Sequence, residues 1–398
     1  MTSSLKALIA LGMAHAVLEC YSGVWPVYKH LAGLDLYVAG ILLTVPSFVA
    51  SLLQPAFGHW ADRGWARGML LLGTGLTFLM ALLGPVGLWK EDLGPLLFYA
   101  LLSILMLFSR LGHSMFHPAG ASLAGQALKD RPAAGLGIFV ALGWVGYGFS
   151  QFLFSAAYLG TGGHSEVLLL PGVLLLIWIA VWLPPAPRGV SLAPGFRGPF
   201  RELWSLRREV GSLFAILTLL ASANMALTFL FPELLAARGY ADWLVCGGAQ
   251  IFLMGGTALG VLAGGYLADR WGVPFTLTLS LGVAFAAFEG FLLLPQLPET
   301  AFLAVCFFFG LCLGLCQPLP VALAQAVAPA QASTISGVMM GWSWALASLA
   351  PLATAYLAGC SALGVAGALG VVGFLNLAAL ACALFFPVRR AARALAQE

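Results

Sequence analysis

The feature that most constrains this chain is a succession of long apolar stretches with almost no charge inside them. At roughly 20 residues per bilayer crossing, they fall at 6–31, 36–60, 67–89, 95–128, 134–160, 166–184, 211–237, 242–267, 273–295, 299–326, 333–358 and 362–387. Twelve crossings need about 240 residues, so 398 residues hold them with short connections. Hydrocarbon offers backbone amides no water, so each crossing is either a helix or part of a closed barrel. Barrel strands are about 10 residues of alternating polarity, and these runs are long and unbroken. Composition removes the soluble alternatives. Only 8% of residues are charged and 61% are hydrophobic, where a soluble domain carries roughly 25% charge. A soluble enzyme, a nucleic-acid binder and a disordered chain are excluded as the main reading. The expected class is an all-α polytopic membrane protein with 12 transmembrane helices. The first stretch is too long for a signal-peptide core and is read as span one.

One connection is long. It runs from Pro185 to Val210, with Pro187, Pro194, Pro199, Arg188, Arg197, Arg201, Arg207 and Arg208. It divides the chain into residues 1–184, a linker 185–210 and residues 211–398, six spans on each side. Basic residues set the orientation. With the N-terminus inside, 14 of the 18 Lys and Arg are cytoplasmic; Lys29, Lys90 and Arg238 face outward and Arg110 lies within a span. Both termini are therefore expected in the cytoplasm, with the chain in the inner (cytoplasmic) cell membrane. The seven cysteines all lie in apolar segments, so no exported disulfide framework is expected. The net charge of +3 implies no polyanionic partner.

The halves repeat. Gly58-His59-Trp60-Ala61-Asp62-Arg63 follows span two, and Gly265-Tyr266-Leu267-Ala268-Asp269-Arg270 follows span eight. Pro26 pairs with Pro232, and Pro118 with Pro318, at nearly the same interval. Parallel repeats of this kind build transporters with a site between the halves. The pattern resembles the major facilitator superfamily, whose loop motif is Gly-x-x-x-Asp-Arg-x-Gly-Arg-Arg/Lys. Gly58, Asp62, Arg63 and Arg67 match it, and Gly265, Asp269 and Arg270 match in part. The resemblance implies two six-helix bundles and a loop acting as a latch during alternating access; a plain tight turn is the alternative. A finer resemblance is to the fosmidomycin resistance protein group. It rests on Ser51-Leu52-Leu53-Gln54-Pro55 before Gly58, on Phe116-His117-Pro118, on His15 with Glu19, and on Ala324-Gln325, Pro329 and Ser336-Gly337. It implies export of a small phosphonate drug. The group carries Glu and Arg where this chain has Ala119 and Ser122; here Arg110 and His113 stand one to two turns earlier.

Ionisable groups inside spans are costly and are functional candidates by default. His15 and Glu19 share a face of span one, which Ser22 continues. Arg110, His113 and His117 fall within an arc of about 60° on span four. Glu19 lies roughly 20 Å beyond Lys6, and Arg110 roughly 22 Å beyond Pro95 from the other side. Both are near the midplane, and a Glu19–Arg110 pair ringed by the three histidines is expected. Such a constellation suits proton binding, with Arg110 holding an anionic group. A fixed ion pair pinning two helices is the alternative. Trp144, Tyr147 and Gln151 on span five, Asn224, Gln250 and Gln317 on the second half are candidate cavity residues, and Glu289 is expected at the outer interface. Gly143, Gly146 and Gly148 suit close helix packing.

No phosphate-binding loop and no soluble domain are present, so no cofactor is expected and a proton gradient is the energy source. The expected activity is proton-coupled export of a small polar or amphipathic solute, with anionic drugs included, by a monomer that binds no nucleic acid. The rivals are a proton-coupled organic-anion symporter and a divalent-metal transporter using His15, Glu19, His113 and His117. Arg110 opposes the latter by charge. A receptor or an intramembrane enzyme would lack the need for two symmetric loops, and no convincing nucleophile is seen.

Overall fold

The computed structural model describes residues 3–128, 132–183, 207–327, 332–360 and 362–385. Lys129, Arg131, Pro185, Pro187, Arg188, Pro194, Arg197, Pro199, Arg201, Pro329, Arg389, Arg390 and Arg393 lie outside these, as does most of the expected linker. Span seven already begins at Arg207, inside the stretch read as linker.

Twelve crossings are found among the described residues. Span one is Ser3–Ser22 and Trp25–Leu31; span two is Leu36–Leu52 and Gln54–Trp60; span three starts with Ala66–Thr77 and ends with Leu83–Leu88. Span four is Lys90–Ala127, span five Pro132–Gly160 and span six Leu169–Trp182. Span seven is Arg207–Ala237, span eight Ala249–Trp271 with a π-turn at Leu244–Gly248, and span nine Val273–Leu293. Span ten is Glu299–Gly314 and Leu319–Val327, span eleven runs from Ala332–Ser336 to Leu349–Gly359, and span twelve is Gly364–Phe385.

The helical run Leu36–Leu88 has 53 residues. At 1.5 Å per residue it would reach about 80 Å, far beyond a bilayer core of about 30 Å. Gly64 divides it, with φ +94° that only glycine adopts cheaply. Span one packs on span five and span three on span four; span eight packs on span ten and span seven on span twelve.

Several spans are interrupted helices, and three of the interruptions lie close to prolines. Span one breaks at Gly23-Val24, span two at Leu53, and span ten unwinds over Leu315–Pro318. The first two breaks end two residues before a proline, Pro26 and Pro55, and the third contains Pro318. A proline has no N–H to give the carbonyl four residues back. Unwound backbone at membrane depth is tolerated where it lines a cavity, and Ser22, Trp25, Pro26, Gln317 and Pro318 do line one.

The halves meet along spans two and eleven and along spans five and eight. Thr44 Oγ1 donates to the Ser348 carbonyl at 2.7 Å, joining span two to span eleven.

Candidate functional site

A cavity of about 200 Å³ lies between the halves. Of the residues anticipated from sequence, His15, Glu19, Ser22, Arg110, His113, His117, Trp144, Tyr147, Asn224 and Gln317 line it. Gln151 and Gln250 do not, which corrects their assignment. Gln151 faces span eight, where its side chain packs against Gly247. Gln250 is fully buried, and neither of its amide atoms has a hydrogen-bond partner. Helical periodicity puts Gln151 on the face of Trp144 and Tyr147, but the outer end of that face is covered by the partner half.

Four atoms converge on the wall formed by spans one and four. Glu19 Oε1 lies 3.4 Å from His15 Nε2, 3.2 Å from His113 Nε2 and 3.2 Å from His117 Nε2. The two span-four histidines face each other, Nε2 to Nε2, at 2.8 Å. Ser22 Oγ donates to Glu19 Oε2. His15 Nδ1 lies 2.8 Å from the Phe139 carbonyl. A carbonyl only accepts, so Nδ1 carries the hydrogen, and Nε2 of a neutral His15 presents a lone pair to Glu19. Two acceptors then face each other. A proton held between them, or elsewhere among the four atoms, completes the site.

Span five makes room for this geometry. A Cβ on Gly143 would run into the His15 imidazole, and one on Gly146 would meet the Ala16 backbone. The close packing expected of the span-five glycines is against span one for Gly143 and Gly146 and against Met254 of span eight for Gly148. Phe139 stacks on the His15 ring with centroids 4.2 Å apart.

The expected Glu19–Arg110 pair is not formed. Arg110 Nη2 instead donates to the Ser22 carbonyl at 3.3 Å. Spans one and four run antiparallel, and Glu19 is level with His113 and His117. Arg110, three residues and about 4.5 Å further along, is level with Ser22. The Ser22 carbonyl is free because its helical partner would be Pro26, which has no N–H. Arg110 supplies the missing donor and leaves its Nε buried without a partner.

Contacts between the halves bridge both ends of the cavity, the inner end being the one that the basic residues place on the cytoplasmic side. At the inner end Asp62 Oδ2 accepts from Thr334 N at 3.2 Å and Thr334 Oγ1 at 2.8 Å. The loop carboxylate thus caps the start of span eleven, across the halves. Arg67 works within its own half, donating to the Ala180 carbonyl at 2.6 Å. Arg63 is exposed, Gly58 is buried within the short helix Gln54–Trp60, and Gly265 faces open space. Asp269 and Arg270 are exposed; the repeat places their counterpart of Thr334 at the start of span five, next to residues that are not described.

At the outer end the sequence reading missed an ion pair. Lys29 Nζ lies 2.5 Å from Glu233 Oε2, with the lysine side chain fully buried. His30 Nδ1 is 3.4 Å from the other carboxylate oxygen, and Lys29 sits over the Phe229 ring at 4.6 Å. Lys29 therefore does not face outer solvent. A signal was present: Lys29 and Glu233 follow the repeat-related prolines Pro26 and Pro232 with opposite charge. Arg238 donates to the Phe291 and Leu292 carbonyls, the latter at 2.7 Å, and partial burial lowers its pKa. Glu289, half-buried on span nine, lies against Gly373 of span twelve. Trp344 of span eleven, also missed, packs on His113 and His117.

His15, Glu19 and His117 bring ligand atoms within 4.8 Å of one another and are of metal-binding type. Two nitrogens on a tetrahedral zinc ion with bonds of 2.0–2.1 Å stand roughly 3.3 Å apart. The spacings to Glu19 Oε1 within this group, 3.4 Å from His15 and 3.2 Å from His117, are close to that value, while the 2.8 Å between His113 and His117 is a hydrogen-bond distance. Arg110 adds a permanent cation one turn away.

The Major Facilitator Superfamily model matches residues 7–351. The uncharacterized MFS-type transporter YfnC of Bacillus subtilis (strain 168) is 24% identical over 373 residues, covering 88% of this chain and 86% of the relative. YbcL of the same organism is 26% identical over 270 residues, covering 64% and 63%. Among solved structures, a bacterial homologue of the human lysosomal transporter Spinster, inward-facing and unoccupied, aligns with TM-score 0.66 at 17% identity over 99% of this chain and 96% of that one. A mutant of the nucleoside transporter NupG aligns with TM-score 0.68 at 13% identity over 96% and 99%. At these identities the structures show the fold. The finer resemblance to the fosmidomycin resistance group rests on the sequence motifs alone.

Proposed function

This chain belongs to the major facilitator superfamily, a family of membrane transporters, and on that premise we propose that it moves a small amphipathic organic anion coupled to protons by alternating access. The observation that carries the coupling is the convergence of His15, His113 and His117 on one oxygen of Glu19, which leaves a site short of a proton. Arg110, with a free buried Nε beside the cavity, is the anion anchor. Trp25, Trp144, Tyr147 and Trp344 suit an apolar or aromatic body, while Asn224 and Gln317 offer neutral hydrogen bonds. The 14-to-3 distribution of basic residues between the two sides supports placement in the inner membrane with both termini in the cytoplasm.

Charge decides how the two ligands interact. An anion on Arg110 stands about one turn from Glu19, so an added proton on the cluster weakens their repulsion. Anion and proton therefore favour each other's binding, which supports co-transport. The motif resemblance to a drug-export group supports exchange instead, and the sign of proton movement separates the two.

The test is proteoliposomes holding purified protein and an internal pH dye. A panel of aromatic carboxylates, with fosmidomycin as the phosphonate member, is added outside. Co-transport acidifies the lumen, and exchange alkalinises it. Glu19→Gln is expected to abolish either signal, and Arg110→Ala to abolish the response to the anion. Anion entry with no pH change in the wild type would refute the coupling.

A further inference from the structure

The proton-binding cluster belongs to the N-terminal half, yet a side chain of the other half covers it. Trp344 on the stretch Ser343–Ala347 of span eleven lies with its ring centroid 5.3 Å from His113 and 4.9 Å from His117, the ring planes standing at 84° to each other in the latter pair. The stretch is held there one turn on, where the Ser348 carbonyl accepts from Thr44 of span two. The charged and titratable groups facing the cluster are His15 and Glu19 from span one, Arg110, His113 and His117 from span four, and Tyr147 from span five. From spans seven, ten and eleven the cavity receives Asn224, Thr228, Gln317 and Met340, all neutral, besides Trp344.

A transporter couples a proton to movement only if some contact that differs between conformations also differs with protonation. The cluster's own contacts, from His15 to Glu19 and from Glu19 to His113, lie within one half and move with it as a unit. They bind a proton but do not by themselves report it to the other half. We propose that Trp344 is the positioning residue that does so. A neutral imidazole gives the indole ring an ordinary aromatic contact. An imidazolium presented to the face of the indole within about 6 Å of its centroid gains a cation–π attraction, strengthened where water is excluded. That extra attraction exists only while the halves are together at mid-depth. Protonation of the cluster therefore favours the closed arrangement seen here, and loss of the proton releases span eleven from span four. The inference rests on the proton-coupling reading above and adds the element that transmits it.

The experiment measures closure against pH. Spin labels are placed at Gly68 and Tyr266, exposed positions at the inner ends of the two halves, in a background with the seven native cysteines replaced. In the otherwise wild-type protein the short-distance population is expected to grow as pH falls. In Trp344→Leu that pH dependence is expected to flatten, with the closed-to-open ratio at low pH reduced about tenfold. Trp344→Phe, which keeps an aromatic face, restores most of it. A purely structural role would lower closure equally at every pH and would not be rescued selectively at low pH. Glu19→Gln, carried in parallel, tests the proton site itself. Closure that is pH-independent in the wild type, together with no solute-driven proton movement, overturns the coupling reading. Intact pH-dependent closure in Trp344→Leu overturns this inference and leaves the coupling reading standing.

Discussion

Replacing Lys29 with Met is expected to open the outer end of the cavity. Lys29 and Glu233 come from opposite halves, 2.5 Å apart, and the lysine is sealed from solvent. Removing one member of a buried ion pair costs about 3–5 kcal/mol, because the other charge stays buried without its partner. Here His30 remains 3.4 Å from Glu233 and compensates in part, so the lower end applies. About 3 kcal/mol changes an equilibrium roughly 150-fold. The loss falls on the closed outer end alone, since separation of the halves lets water reach Glu233. The assay is the distance distribution between spin labels at Tyr37 and Ala241, exposed outer positions on the two halves. Lys29→Met should move the population to longer distances. The double change Lys29→Met with Glu233→Met removes both charges, and replacing a whole buried pair by apolar groups is near neutral. It should return the distances to within a few-fold of the wild-type ratio. A single variant that stays closed, or a double variant as open as the single, refutes the argument that this pair clasps the outer end.

Other outcomes follow from the same geometry. Thr334→Val keeps the backbone bond to Asp62 but loses the hydroxyl bond; a capping loss of about 1 kcal/mol should raise inner-end opening about fivefold between labels at Gly68 and Tyr266. Gly146→Leu drives a side chain into the Ala16 backbone, and since overpacking costs about 1–3 kcal/mol or more, a lower thermal midpoint in detergent is expected. Arg110→Lys keeps a charge but loses the planar fork that reaches both the Ser22 carbonyl and a carboxylate, so carboxylate affinity measured by calorimetry should fall about tenfold. Pro26→Ala returns an N–H to the Ser22 carbonyl and frees Arg110 from it; a several-fold change in carboxylate affinity, absent in Pro55→Ala, is the check.

The crossings, the repeat and the polar stripes were legible along the chain because each depends on neighbours in sequence. Bilayer thickness sets the span length, and helical periodicity puts His15 with Glu19 and Arg110 with His113 and His117. The proline that frees the Ser22 carbonyl is four residues away and was also readable. The register between spans one and four was not, and it matters by one turn. It decides that Glu19 meets His113 and His117 while Arg110 meets Ser22. That register follows from how Gly143 and Gly146 let span five press span one into place, a three-helix packing that no single helix encodes. Gln151 lies on the face that periodicity assigned to the cavity, and docking of span eight covers it. Lys29 with Glu233, Asp62 with Thr334, and Trp344 over the histidines join residues some 200 to 300 positions apart. Local sequence determined which groups each helix offers. Only the meeting of the two halves decided which of them are paired, because those contacts depend on helix rotation, depth and closure, which packing sets across the whole molecule.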